Sequence, residues 1–158
     1  MIIADAGPLI AISLLEQYEL LLKLYQEVII TEAVLAECLF DKNLPGAEKI
    51  GALIQAKKIN IKNPKPSQIE LSHCLGDGEA SSILLAKQSN EILLVDDKLA
   101  RKTAKQLDIN IIGVPGLLLA GKGCKHFKKI KPLLNQLKEN GYYISSALEK
   151  FLLETAKE

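Results

Sequence analysis

Ile92-Leu93-Leu94-Val95-Asp96-Asp97 sets four consecutive large apolar residues against two carboxylates. A run of that kind, without polar alternation, suits a strand covered on both faces, as in a parallel sheet. It predicts a buried strand ending at Asp96-Asp97. Before it, Gly76-Asp77-Gly78 breaks the chain, and Glu79 opens a helix carrying Ile83, Leu84 and Ala86. After it, a helix from about Lys98 to Leu107 leads to a second apolar strand, Ile109 to Ile112, closed by Gly113. At the start, Ile2-Ile3-Ala4 stops at Asp5, where Gly7 and Pro8 offer an N-cap and a first helical position.

Leu14, Leu15, Tyr18, Leu21, Leu22 and Tyr25 keep helical spacing, Val28-Ile29-Ile30 reads as a strand, and Thr31 as the cap of a helix through Val34, Leu35, Cys38 and Leu39. Asn43 to Gly46 interrupts that helix; another follows with Ala47, Ile50, Leu53 and Ile54, then a brief strand at Ile59 to Ile61. Asn63-Pro64-Lys65-Pro66 is a connector, since proline disfavours the helical conformation in the residue before it. Capping-box patterns at Ser67/Glu70 and Ser146/Glu149 predict two helix starts, and Pro132 to Glu158 reads as two helices parted by Gly141. Alternating strands and helices imply an α/β fold, a mainly parallel central sheet with helices on both faces. Residues 1–158 are expected to form one domain, with 130–158 a helical C-terminal extension packed on it.

Of the 158 residues 48% are hydrophobic, enough for one substantial core. With 20 Lys+Arg against 19 Asp+Glu the net charge is +1, which excludes a highly basic coating protein. Aromatic residues make up 4%, with no Trp, which argues against a base-stacking platform and leaves the backbone as the target of any nucleic-acid chemistry. Cys38, Cys74 and Cys124 are odd in number and far apart, so no disulfide framework is expected. With no basic leader and no apolar run near the roughly 18 residues of a membrane span, the expected setting is the cytoplasm, away from membranes.

In open parallel sheets, sites form beyond the carboxyl ends of the strands, where Asp5 and Asp96-Asp97 fall. Glu37, on the helix after the Ile30 strand, and Glu79 can reach the same edge. Like charges about 4 Å apart repel by roughly 4 kcal/mol at an effective dielectric of 20, so a cluster of carboxylates needs an offset. Mg²⁺ or Mn²⁺ supplies it through hard oxygen ligands, and such an ion assists attack on a phosphodiester.

Ile2-Ile3-Ala4-Asp5-Ala6-Gly7-Pro8-Leu9-Ile10, Val34-Leu35-Ala36-Glu37, Gly76-Asp77-Gly78-Glu79-Ala80 and Leu93-Leu94-Val95-Asp96-Asp97 together resemble the PIN-domain family of metal-dependent ribonucleases, and within it a subgroup of uncharacterised prokaryotic proteins with a helical tail. The likeness covers nearly the whole chain. It implies catalytic Asp5, Glu37, Glu79 and Asp97, with Asp96 a fifth member or an orienting neighbour, and a Mg²⁺ or Mn²⁺ ion on Asp5, Asp97, Glu79 and Asp96. It further implies an RNA substrate, a homodimer, and a toxin whose partner is a cognate antitoxin protein. One departure is Ala6 and Gly7, where many members carry a hydroxyl residue after the first Asp.

Each residue also has a plainer reading. Asp5 can be a polar strand end, one of Asp96 and Asp97 a helix cap, Glu79 a first-turn carboxylate favoured by the helix dipole, and Glu37 a solvated flank. Lys125, Lys128 and Lys129, in the basic run Lys122 to Lys131, are either a solvated loop or contacts for RNA phosphates. Arg101 either pairs with Asp97 within one helix or meets a phosphate. The alternative function is a PIN-like binding module with weakened catalysis. A phospho-receiver is disfavoured, because its acidic pair belongs near the first strand.

Overall fold

A computed structural model describes residues 1–41, 43, 45–71 and 73–158. In chain order the elements are β1 (Ile2–Ala4), α1 (Ala6–Leu14), α2 (Tyr18–Tyr25), β2 (Val28–Ile30), α3 (Glu32–Cys38), α4 (Pro45–Gln55) and β3 (Ile59–Ile61). They continue with α5 (Asp77–Ser89), β4 (Ile92–Leu94), α6 (Lys98–Gln106), β5 (Ile111–Ile112), α7 (Val114–Gly123), α8 (Lys131–Glu139) and α9 (Ser146–Ala156). The five strands form one parallel sheet in the order β3-β2-β1-β4-β5. The α/β architecture expected from the alternation is therefore present.

Strand residues alternate between two cores, because successive side chains leave a pleated strand on opposite faces. Ile2, Ala4, Val28, Ile30 and Leu94 face a large core closed by α1, α2, α7, α8 and α9, to which the C-terminal segment adds Leu134, Leu137, Ile144 and Leu152. Ile3, Ile29, Leu93 and Val95 face a smaller core under α5 and α6, with Ile83, Ala86, Ala100 and Ala104. Around β1, β2 and β4 both sides of the sheet are covered, which is why these strands read as unbroken apolar runs, whereas the edge strand β3 carries Asn60 and is exposed at Asn60 and Ile61.

Several local expectations are corrected. The spacing from Leu14 to Tyr25 is not one helix: the chain turns at Glu16, whose φ is 57°, and restarts at Tyr18. Asp5, not Gly7, is the N-cap of α1. Ser67 starts no helix; its hydroxyl accepts from the Ile69 N–H (3.1 Å), two residues on, making a local turn where a cap would bond three residues on. Ser145, not Ser146, caps α9 by accepting from Leu148 N (3.2 Å), and Glu149 pairs instead with Lys138 (2.8 Å). The break around Asn43 falls partly on residues 42 and 44, outside the described residues. Ile109 belongs to the α6 exit, where its N–H returns to Ala104 O (2.9 Å), so β5 is only Ile111–Ile112. No described helix is long and apolar enough to cross a membrane.

Candidate active site

Strands run outward from β1 in both directions, so the crossovers diverge between β1 and β4, and side chains just past these two strands face a common crevice. Ala4 lies beside Leu94, and the Asp5 N–H donates to Leu94 O (3.0 Å), which fixes Asp5 next to Asp96-Asp97. The resulting pocket, about 440 Å³, is lined by Asp5, Glu37, Glu79, Asp96, Asp97 and Tyr142, with glycine and proline backbone around them. All five carboxylates singled out from the sequence reach it.

Their surroundings differ. Asp5 is the floor, only 6% exposed, and its Oδ1 is buried without a hydrogen-bond partner. Burial pushes its carboxyl up to about 7; the Ala6 N–H pulls it down, and the charges of Glu79, Glu37 and Asp97 raise it further. Three of the other four, Glu37, Glu79 and Asp97, each commit one oxygen to a backbone N–H. Glu37 Oε1 accepts from Gly78 N (2.9 Å), Glu79 Oε2 from Gly76 N (3.0 Å), and Asp97 Oδ1 from Ala100 N (2.8 Å) as the N-cap of α6. Gly78 allows this approach, since a methyl there would lie 2.5 Å from Glu37 Oε1.

A hydrogen-bond chain holds α3 against α5. Val34 N donates to Thr31 Oγ1 (3.2 Å), which lies 2.7 Å from Ser81 Oγ, and Ser81 donates to Gly78 O (3.0 Å). These hydroxyls brace the helices bearing Glu37 and Glu79, although none follows Asp5 directly. Thr31 was legible as a helix cap; its link to Ser81 was not, because the two meet only once α5 crosses the sheet.

Asp96 is held differently. It accepts from Val114 N (3.2 Å), from the Tyr142 hydroxyl, and feels the positive charge of Arg101; burial raises its pKa and these three lower it. Arg101 does not pair with Asp97, whose oxygen is engaged as a cap; its Nη1 donates to Val95 O (3.0 Å). Asp96 thus joins the end of β4, the start of α7 and the loop between α8 and α9. Tyr142 carried no signal in the sequence, because its contact with Asp96 depends on the C-terminal segment folding back over the sheet. Tyr142→Phe is expected to lower stability by about 1–3 kcal/mol, the worth of a hydrogen bond to a charged group, readable by urea unfolding.

Lys125, Lys128 and Lys129 are exposed just beyond the C-terminal end of α7. α7 starts at the site edge and spans ten residues, about 15 Å of helix, and Lys23 on α2 donates to Cys124 O (3.2 Å) at its far end. The basic run therefore sits toward the opposite edge of the sheet from the carboxylates.

The donor set suits a hard divalent ion. Asp5 offers a buried oxygen with nothing to bond, Glu79 and Asp97 stand on the same pocket, and Mg²⁺ needs only one or two protein carboxylates while it keeps several waters. As they stand, no three His, Cys, Asp or Glu side chains among the described residues enclose an ion by themselves. The arrangement fits an ion that fills much of its shell with water.

The sequence matches no curated protein. Among solved structures, a PilT N-terminus domain protein from the hyperthermophilic archaeon Sulfolobus solfataricus is similar with a TM-score of 0.59 and 17% identity, over 82% of this chain and 98% of that one. A domain of a functionally unknown protein from Methanocaldococcus jannaschii is similar with a TM-score of 0.48 and 22% identity, over 71% of this chain and 89% of that one. The first shares the fold. A family model described as "DUF3368: PIN domain" matches residues 1–158, end to end with the strands and helices that gather the acids, and the chain belongs to the PIN-domain family, whose members are generally nucleases.

Proposed function

We propose that the chain is a metal-dependent endoribonuclease that hydrolyses RNA phosphodiester bonds. The observation that carries this reading is Asp5 Oδ1, buried without a partner on the floor of a pocket walled by four further carboxylates. A group left so is costly unless a ligand completes it. Asp5, Glu79 and Asp97 would hold Mg²⁺ or Mn²⁺, which when bound stabilises charge on the phosphate and activates water.

The chain's own residues do the rest. Gly78 and Gly76 hold Glu37 and Glu79 through one oxygen each, leaving the second oxygen of Glu37 to orient the attacking water and that of Glu79 free for the ion. In the reaction the water oxygen bonds to phosphorus, the P–O bond to the departing sugar oxygen breaks, and the water's proton passes through a pocket carboxylate to that departing oxygen, which leaves as a hydroxyl. Asp96 is a positioning residue, tied to Val114 and Tyr142 and offset by Arg101. The family likeness extends the proposal to a toxin that acts as a homodimer and is restrained by an antitoxin protein.

The test is cleavage of mixed RNA with Mn²⁺, with EDTA, and by Asp5→Asn/Asp97→Asn. Cleavage that needs Mn²⁺ and both acids supports the reading; cleavage that persists with EDTA and in the double variant overturns it. One observation favours the alternative of a binding module: Ala6 and Gly7 give the pocket no hydroxyl beside Asp5. That alternative predicts no RNA cleavage under any of these conditions.

A further inference from the structure

Two other cavities share Asp96 as a lining residue with the acid pocket. One, about 490 Å³, is a groove walled by Tyr142, Tyr143, Leu148 and Phe151 on one side and by β5 and the start of α7 on the other. The second, about 740 Å³, lies along α6 and is lined by Lys98, Arg101, Lys102 and Lys105. Asp96 lines all three cavities, and Arg101 lines both the groove and the α6 cavity.

Each cavity carries an unbalanced feature. The four cations on α6 fall at i, i+3, i+4 and i+7, a single helix face, and the helix contains no acidic residue. No ion pair among the described residues engages Lys98, Lys102 or Lys105. In the groove, Tyr143 is 86% exposed, Phe151 59% and Leu148 36%, three of the six large apolar side chains that the described surface exposes. Of seven aromatic residues, four Tyr and three Phe, three gather here, so the low overall aromatic content conceals a local cluster.

We propose that this groove binds an unpaired RNA base next to the scissile phosphate, while the α6 stripe holds the neighbouring phosphates. The inference rests on the nuclease reading and names the residues of this chain that would seat one base and its neighbouring phosphates. A single strand offers a row of anions beside a row of flat rings, which matches a cationic helix face beside an aromatic groove. A duplex hides the ring faces and offers only the anions. The groove's volume is within the range of about 300–1,000 Å³ that accommodates small organic ligands.

The test uses the full chain with Asp5→Asn to block cleavage, and reads fluorescence anisotropy of a fluorescein-labelled RNA single strand and of the same strand in a duplex. Tyr143→Ala with Phe151→Ala is expected to weaken single-strand binding at least about tenfold, the loss of one stacking contact, and to leave duplex binding unchanged. Tyr143→Leu with Phe151→Leu keeps apolar bulk without rings and is expected to show the same loss. Lys98→Ala, Lys102→Ala and Lys105→Ala together are expected to reduce the slope of log affinity against log salt by about 2. Unchanged single-strand affinity in the aromatic variants overturns the proposal. So does retained affinity with loss of self-association in sedimentation, which assigns the groove to a second copy of the chain. With Asp5 restored, cleavage at the unaltered KM in the aromatic variants overturns the groove alone. No cleavage by any chain, with ring-dependent binding intact, overturns the nuclease reading alone.

Discussion

Asp5→Asn is expected to make the metal-free chain more stable at pH 8 while reducing RNA cleavage about a thousandfold or more, the rate equivalent of about 4 kcal/mol. The stability effect follows from the buried carboxyl, pushed up to about 7 in the folded chain against about 3.9 in an unfolded one. Below about pH 4 both states hold the proton and Asp5 adds no pH dependence. Between about pH 4 and 7 the folded state binds more protons than the unfolded one, so stability falls as pH rises, by about 1.4 kcal/mol per pH unit. Above pH 7 the whole cost, roughly 4 kcal/mol, is present. Asn is neutral at every pH and escapes it. Urea unfolding in EDTA at pH 4 and pH 8 checks this, and a variant less stable than the parent at pH 8 refutes it. Mn²⁺ at about 100 times its dissociation constant is expected to stabilise the parent by roughly 2.7 kcal/mol and the variant by far less.

Gly78→Ala is expected to cut activity about a hundredfold with little change in stability. The added methyl would sit 2.5 Å from Glu37 Oε1 and 2.7 Å from its Cδ, so the Glu37 carboxylate has to leave the Gly78 N–H. Glu37 is exposed and its side-chain end can swing into solvent, which spares the fold. Alanine meanwhile gains up to about 1 kcal/mol of helix propensity over glycine, offsetting the lost hydrogen bond. Gly51→Ala is the control: nothing lies within 4 Å of its added methyl, and activity is expected to stay at the parent level. An unfolded Gly78→Ala, or one with full activity, contradicts the account.

The sheet was legible because its inner strands are covered on both sides, so Ile2-Ile3-Ala4, Val28-Ile29-Ile30 and Ile92-Leu93-Leu94 read as plain apolar runs. Asp5 and Asp96-Asp97 were legible as strand-end acids for the same reason. Glu37 and Glu79 were ambiguous alone, and only the crossing of α3 and α5 puts them on one pocket. What the sequence concealed depends on contacts between distant segments or on backbone geometry that propensity does not encode. The turn at Glu16 interrupts good helical spacing, and α7 forms despite Gly116, Gly121 and Gly123. The cations of α6 were visible one by one, but their meaning comes from the cavity beside them.

Asp96 binds together three parts of the chain that lie far apart in sequence, one of them the loop carrying Tyr142. A minimal version cut after α7 would therefore retain every acid of the pocket and lose one of its walls. The tail is better understood as the closing stone of the cleft than as an appendage, and engineering of reduced PIN scaffolds from this chain has to carry it along.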